Sequence, residues 1–242
     1  MMGKWRRFGK GSTARKEREL PVVLQKNIIL LTAAVLTAVF GQYYFRNKEK
    51  KGKGGLVFKA LATFMPVLAA LFYVSGAEGQ LRGVALWIFA GTFFCMAADV
   101  LLELVFLAGV AAFGMGHVCF LAAYIHLVPV RITTVLLFVL LLAFMLLLHG
   151  RFLYHFGRQA VYMVGYGALL SFMTAMALAV AREMGGMAGM FMAAGGICFY
   201  ISDNILGFRI LHEKNNRLSG AILLALYYSA VYLIAAGLWF LP

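Results

Sequence analysis

Charged side chains are scarce in this chain. Asp, Glu, Lys and Arg make up 13% of its 242 residues, against about a quarter in ordinary globular domains. Apolar residues make up 63%, and the mean hydropathy is +0.88. That balance excludes a soluble globular domain. Cysteine is rarer still: only Cys95, Cys119 and Cys198 occur, each inside an apolar run and none in a CxxC pair. This excludes a disulfide framework and a cysteine-based zinc motif, and leaves three small packed side chains. No small-residue cleavage site follows the first apolar run, which a long basic stretch precedes, so a secretory leader is not expected. The internal repeat that builds inverted-repeat transporters is also missing.

What the chain does have is a series of apolar runs of about 20 residues, each enough to cross the hydrocarbon of a bilayer. The short alternating segments of a closed β-barrel are absent. The expected fold is all-α, a polytopic transmembrane helical bundle of about eight spans. They read as Asn27–Phe45, Leu56–Val74, Gly83–Leu107, Gly109–Val128, Ile132–Leu148, Ala160–Ala181, Met187–Leu211 and Ser219–Leu241. Residues 1–26 read as a basic N-terminal tail and 27–242 as one eight-helix domain. Connections are short, so consecutive helices are expected to be antiparallel neighbours. Gly185-x-x-x-Gly189 has the spacing of a close helix–helix contact.

The net charge of +13 and pI near 9.9 come largely from two tracts. The tail carries Lys4, Arg6, Arg7, Lys10, Arg15, Lys16, Arg18 and Lys26, and "RNKEKKGKGG" carries Arg46, Lys48, Lys50, Lys51 and Lys53. These tracts lack the aromatic stacking platforms of a nucleic-acid surface. Their expected partners are anionic lipid headgroups, not nucleic acid. The loops after spans 1, 3, 5 and 7 hold most of the loop Lys and Arg, which puts that side in the cytoplasm. The tail, on the opposite side, argues the reverse; we follow the loops. The setting read from this is an integral protein of a bacterial cytoplasmic membrane.

Ionisable groups at membrane depth are costly and mark function by default. Lys59 opens span 2. Asp99 and Glu103 lie late in span 3, His117 and Tyr124 in span 4, and Asp203 late in span 7, within "YISDNILGF". With antiparallel neighbours, Lys59, Asp99, His117 and Asp203 fall in one half of the membrane, on the side of the 1/3/5/7 loops. Tyr166, Tyr227 and Tyr228 join them. Asp203 shares a helical face with Gly196, Phe199 and Gly207, and Asp99 with Thr92, Cys95 and Glu103. Plainer readings stand beside these. Lys59 can snorkel to the interface, Glu103 can be a solvated rim residue, and His117 can be a packed core histidine. Lys59 can also neutralise one aspartate. His149, His155 and His212 fall at or beyond span ends and no HxxxH pair occurs, so neither a metal site nor a cofactor is expected.

The segments "VFKALATFMPVL", "AADVLLEL", "AAFGMGHVCFLAAY", "YGALLSFMTAMA", "FYISDNILGF" and "LYYSAVYLIA" resemble, in this order, the motifs of the YhhN-like family of membrane proteins, which includes the lysoplasmalogenases. The resemblance runs from about Val57 to Gly237. It maps the family's Lys onto Lys59, its first Asp onto Asp99, its His onto His117, and its Ser-Asp onto Ser202 and Asp203. Ala60, Ala98 and Val231 stand where the family often has Pro, Gly and Gln. The resemblance implies hydrolysis of the vinyl ether of a lysoplasmalogen to a fatty aldehyde and a glycerophospho-headgroup. The expected partner is therefore a lysophospholipid substrate.

Vinyl ether cleavage needs an acid that protonates carbon and a carboxylate that stabilises an oxocarbenium ion or activates water, much as in glycoside hydrolysis. Asp99 and Asp203 are the expected pair, one protonated and one ionised, sharing a cavity. Lys59, His117, Tyr124, Tyr166, Ser202, Tyr227 and Tyr228 are the expected supporting or substrate-binding residues. Sequence alone leaves open which aspartate holds the proton. The competing reading is a proton-coupled transporter or lipid carrier that uses Asp99, Glu103 and Asp203 as a relay. A non-catalytic scaffold would not need polar residues at one depth.

Overall fold

The computed structural model describes residues 6–47, 53–153, 157, 159–211 and 216–242, with side chains from residue 23 onward apart from 53, 54 and 159. It contains eight helices, α1 (Arg6–Asn47), α2 (Lys53–Gly76), α3 (Gly79–Leu104), α4 (Phe106–Leu127), α5 (Ile132–Leu153), α6 (Gln159–Met184), α7 (Gly186–Leu211) and α8 (Arg217–Leu238). No strand occurs among the described residues. Each helix holds a stretch long and apolar enough to span a membrane. A helix satisfies its own backbone polar groups, and without water in the hydrocarbon that requirement leaves little alternative.

The breaks between helices have local causes. Val105, extended at φ −142°, alone separates α3 from α4. The break thus comes three residues earlier than the apolar pattern suggests, and Leu107 belongs to α4. Gly185 and Gly186, with φ of +63° and +61°, make the turn from α6 to α7, a conformation that glycine adopts without the Cβ penalty. This changes the reading of Gly185-x-x-x-Gly189. Gly185 forms the turn, and Gly189 alone makes the close approach. A Cβ there would lie 2.7 Å from the Ala181 Cα of α6. Asn216 caps α8 by accepting from the Ser219 N–H at 2.6 Å. Other boundaries shift as well: α3 begins at Gly79, α5 continues to Leu153, α6 continues to Met184, and α8 ends at Leu238. The first helix runs without a break through the expected boundary at residues 26 and 27. Lys4, Lys48, Lys50, Lys51, His155, Arg158, His212 and Lys214 lie outside the described residues.

Helix α8 packs against α1, α2, α3 and α7, and α6 against α4, α5 and α7. The core between them includes Phe120, Phe199, Met173, Met176, Met192, Ile88 and Ile234, all fully buried. Outward, Leu136, Leu140 and Leu147 of α5 and Leu31 and Val35 of α1 are exposed, as expected where the solvent is lipid. The side opposite the 1/3/5/7 loops carries an ion pair between Arg131 and Glu183 at 3.0 Å.

The α6–α7 contact yields a test. Gly189→Val forces α7 away from backbone atoms that cannot rotate aside, and overpacking of this kind costs about 1–3 kcal/mol. Thermal unfolding of the purified protein should show a lower Tm for this variant, with a smaller change for Ala188→Ser beside it.

Candidate active site

Helix α3 carries Asp99, now fully buried at 1% exposure. Its Oδ2 accepts from Thr63 Oγ1 of α2 at 2.9 Å and Tyr227 Oη of α8 at 3.1 Å. Both hydroxyls have a second acceptor. Tyr227 Oη also reaches the Cys95 carbonyl at 3.2 Å. Thr63 Oγ1 also reaches the carbonyls of Ala60 at 3.2 Å and Lys59 at 3.4 Å. Each hydroxyl has a single hydrogen. The pair can therefore donate to an ionised Asp99, or turn to the carbonyls and leave Asp99 to donate its own proton. Neither state strands a donor.

Asp203 on α7 is held differently. Tyr166 of α6 donates to its Oδ2 at 2.5 Å, and His117 Nε2 of α4 lies 3.1 Å from Tyr166 Oη and 3.4 Å from Asp203 Oδ2. The other ring nitrogen, His117 Nδ1, is buried with no hydrogen-bond partner among the described residues. A buried N–H without an acceptor is the costlier orphan. The proton therefore sits on Nε2, which donates toward Tyr166 and Asp203. Both neighbours of Asp203 then act as donors, which suits a carboxylate.

The two clusters share no hydrogen bond among the described residues. Phe199 stands between them, edge-on to His117 with centroids 4.8 Å apart and to Tyr227 at 5.7 Å. Phe199 thus touches one partner of each aspartate. Phe199 lies one turn before Asp203, on the face that the sequence assigns to it.

Lys59 is buried, but its ammonium bonds Glu103 Oε1 at 3.0 Å rather than either aspartate. Tyr44 Oη donates to the same oxygen at 3.1 Å. Glu103 is half exposed, so Lys59 reaches its partner at the rim. This removes the direct neutralisation of an aspartate that the sequence leaves open. It also parts Glu103 from a contiguous relay, since its partners are Lys59 and Tyr44.

The remaining sequence candidates scatter. Ser202 donates to the Leu223 carbonyl at 3.1 Å and ties α7 to α8. Tyr124 is fully buried two turns beyond His117, and its hydroxyl has no partner among the described residues. Tyr228 is buried with its hydroxyl likewise unpartnered; its ring packs beside Tyr227, centroids 5.3 Å apart. Two residues were missed. Thr63 sits four residues after Lys59, a spacing that places it on the same helical face. His149 lies inside α5, since that helix runs longer than expected, and its Nε2 is 3.2 Å from Asn204 Oδ1, next to Asp203. No group of three His, Cys, Asp or Glu side chains comes together among the described residues.

This is a helical integral membrane protein with two buried carboxylate clusters. The chain belongs to the YhhN family, whose model matches residues 55–238. That match takes in α2 to α8 and both clusters. No curated protein and no solved structure gives a match.

The tautomer is directly testable. Nitrogen NMR of histidine-labelled protein should show His117 with an unprotonated Nδ1. Tyr166→Phe, which removes the group that orders Nε2, should perturb that resonance more than Tyr124→Phe does.

Proposed function

We propose that this protein is a lysoplasmalogenase-type hydrolase, cleaving the vinyl ether of a lysophospholipid with Asp99 and Asp203. The observation that carries the reading is the difference between the two carboxylate environments within one YhhN chain. Asp99 has partners that tolerate its proton, and Asp203 has partners that both donate to it. An acid and an ionised carboxylate are what this reaction requires.

In this mechanism Asp99 gives its proton to the alkenyl carbon remote from the ether oxygen. The double-bond electrons form the new C–H bond, and the adjacent carbon becomes part of an oxocarbenium ion. Asp203, which pairs with no lysine or arginine among the described residues, is completed by that positive charge, a preorganised electrostatic stabilisation. Water adds to the oxocarbenium carbon as a carboxylate takes its proton. The resulting hemiacetal collapses to a fatty aldehyde and the glycerophospho alcohol, for a net consumption of one water. Tyr166 and His117 hold Asp203 in place, and Thr63 and Tyr227 hold Asp99. The setting that the sequence suggests, a bacterial cytoplasmic membrane, agrees with a lipid substrate.

Purified protein given lysoplasmenylethanolamine should release aldehyde. Asp99→Asn and Asp203→Asn should each lower turnover by about 10²–10⁴-fold, the usual worth of general acid–base help. No aldehyde above the Asp203→Asn background would reject the proposal. Thr63→Val leaves Tyr227 as the single hydroxyl on Asp99 and should lower kcat with little change in KM.

A further inference from the structure

Lys59 is a buried cation that the mechanism above does not use. It is 6% exposed, and its ammonium bonds Glu103 Oε1 at 3.0 Å. The contact belongs to a ladder between α2 and α3. Lys59 and Thr63 are one turn apart on α2, and Asp99 and Glu103 are one turn apart on α3. Thr63 bonds Asp99 and Lys59 bonds Glu103, so the rungs step in opposite chain directions, as antiparallel helices with side-chain neighbours four residues apart require. Lys59 is therefore one rung from Asp99. Its own carbonyl lies 3.4 Å from the Thr63 hydroxyl that bonds Asp99. A lysine carries its charge on a flexible four-carbon stem with three donors that can turn.

The two carboxylates on this ladder are unequal. Asp99 is 1% exposed, whereas the Glu103 side chain is 48% exposed. Without Lys59, Glu103 would keep water and the Tyr44 hydroxyl at 3.1 Å. An ionised Asp99 is bonded only by the hydroxyls of Thr63 and Tyr227 among the described residues. Attraction between opposite charges is several times stronger where water is excluded, and a buried charge without a counter-charge is costly. The other titratable groups around Asp99 are Tyr44 of α1, Cys95 of α3 with Cys119 of α4 beyond it, and Tyr227 and Tyr228 of α8. None of these is a cation.

We infer that Lys59 follows the charge: it stays on Glu103 while Asp99 holds its proton, and moves one rung inward to Asp99 when that proton is gone. The arrangement described above, with Lys59 on Glu103, is the first of these two states. In the hydrolase reading, on which the catalytic part of this role rests, the second state arises when Asp99 has given its proton to the alkenyl carbon. Lys59 then pairs with the new carboxylate, and it returns to Glu103 when Asp99 takes up a proton again. The lysine keeps its three ammonium protons throughout, and no covalent bond changes at it. Lys59 acts through Asp99 and is a positioning residue. The movement itself needs only Asp99 and Glu103 and does not depend on the substrate.

The test is solid-state NMR of the full-length protein in bilayers, with isotopic carbon in the aspartate carboxyls and isotopic nitrogen in the lysine ammoniums. Asp99 and Asp203 are the chain's only aspartates, so the Asp203→Asn spectrum assigns Asp99. The Asp99 carboxyl shift reports its protonation, and dipolar dephasing by lysine nitrogen reports its distance from the cation. Over a pH titration of wild type, dephasing should be weak in the protonated form and several-fold stronger in the ionised form. Lys59→Gln should abolish it in both. Dephasing equal in the two forms, or absent from both, would overturn the inference, and that comparison needs no variant at Lys59 to fold. Dephasing that survives Lys59→Gln would overturn it as well. Aldehyde release is scored separately. Lys59→Gln should lower kcat about tenfold, equivalent to about 1.4 kcal/mol, with little change in KM, and Lys59→Arg should recover part of the loss. An unchanged kcat in Lys59→Gln would overturn the catalytic part. Charge-dependent dephasing in a protein that releases no aldehyde would leave the movement standing and remove the hydrolase reading.

Discussion

Two carboxylates held inside the helical bundle, Asp99 buried and Asp203 nearly so, set the terms for the rest of this structure. Each must be met by donors carried on other helices, because its own helix has none to spare. Asp99 of α3 draws on α2 and α8, and Asp203 of α7 on α4 and α6. Two side chains therefore bear on the register of six helices. In a medium where apolar surface gives little reason to prefer one helix pairing over another, such polar contacts supply specificity. A one-residue slip of any of these helices would turn its donor away and leave a carboxylate unsatisfied.

The two clusters differ through their surroundings rather than through the aspartates themselves. Backbone carbonyls lie within reach of the hydroxyls around Asp99, giving their hydrogens somewhere else to go. Around Asp203 the third group is a histidine with one nitrogen sealed off, so its proton has only one place to sit. Lys59, a buried lysine of the region, bonds Glu103 rather than either aspartate. That pair's Glu103 end is half exposed and its Lys59 end is buried. It anchors α2 to α3 at the rim.

Much of this was legible in the sequence. Apolar runs gave eight helices, because span length is dictated by bilayer thickness and not by neighbours. The antiparallel succession put Asp99, Asp203, His117 and Tyr166 in one half, and the structure brings Tyr166 and His117 onto Asp203. The pairing of Lys59 was not legible. Span position gives depth but not azimuth, and Glu103 and Asp99, one turn apart on α3, are equally plausible partners until the packing of α2 is known. Thr63 was missed because a threonine in a helix usually satisfies itself on its own backbone, whereas here the same hydroxyl also has Asp99 as an alternative acceptor. His149 was missed because the polar residues after Leu148 read as a loop although α5 continues through them. Ser202 was read with Asp203 as a unit, yet neighbouring residues on a helix point about 100° apart, and its hydroxyl serves α8.

The carboxylate clusters occupy one half of the bundle, while the other half carries the exposed Arg131–Glu183 bridge at its end. Such a molecule is chemically one-sided. Lipids of the facing monolayer can slide to it by lateral diffusion with their headgroups already at the right height. Lipids of the other monolayer have to flip across the bilayer first. On the proposed hydrolase reading, the substrate comes from a single leaflet, and the protein's orientation in the membrane decides which lipid pool that is.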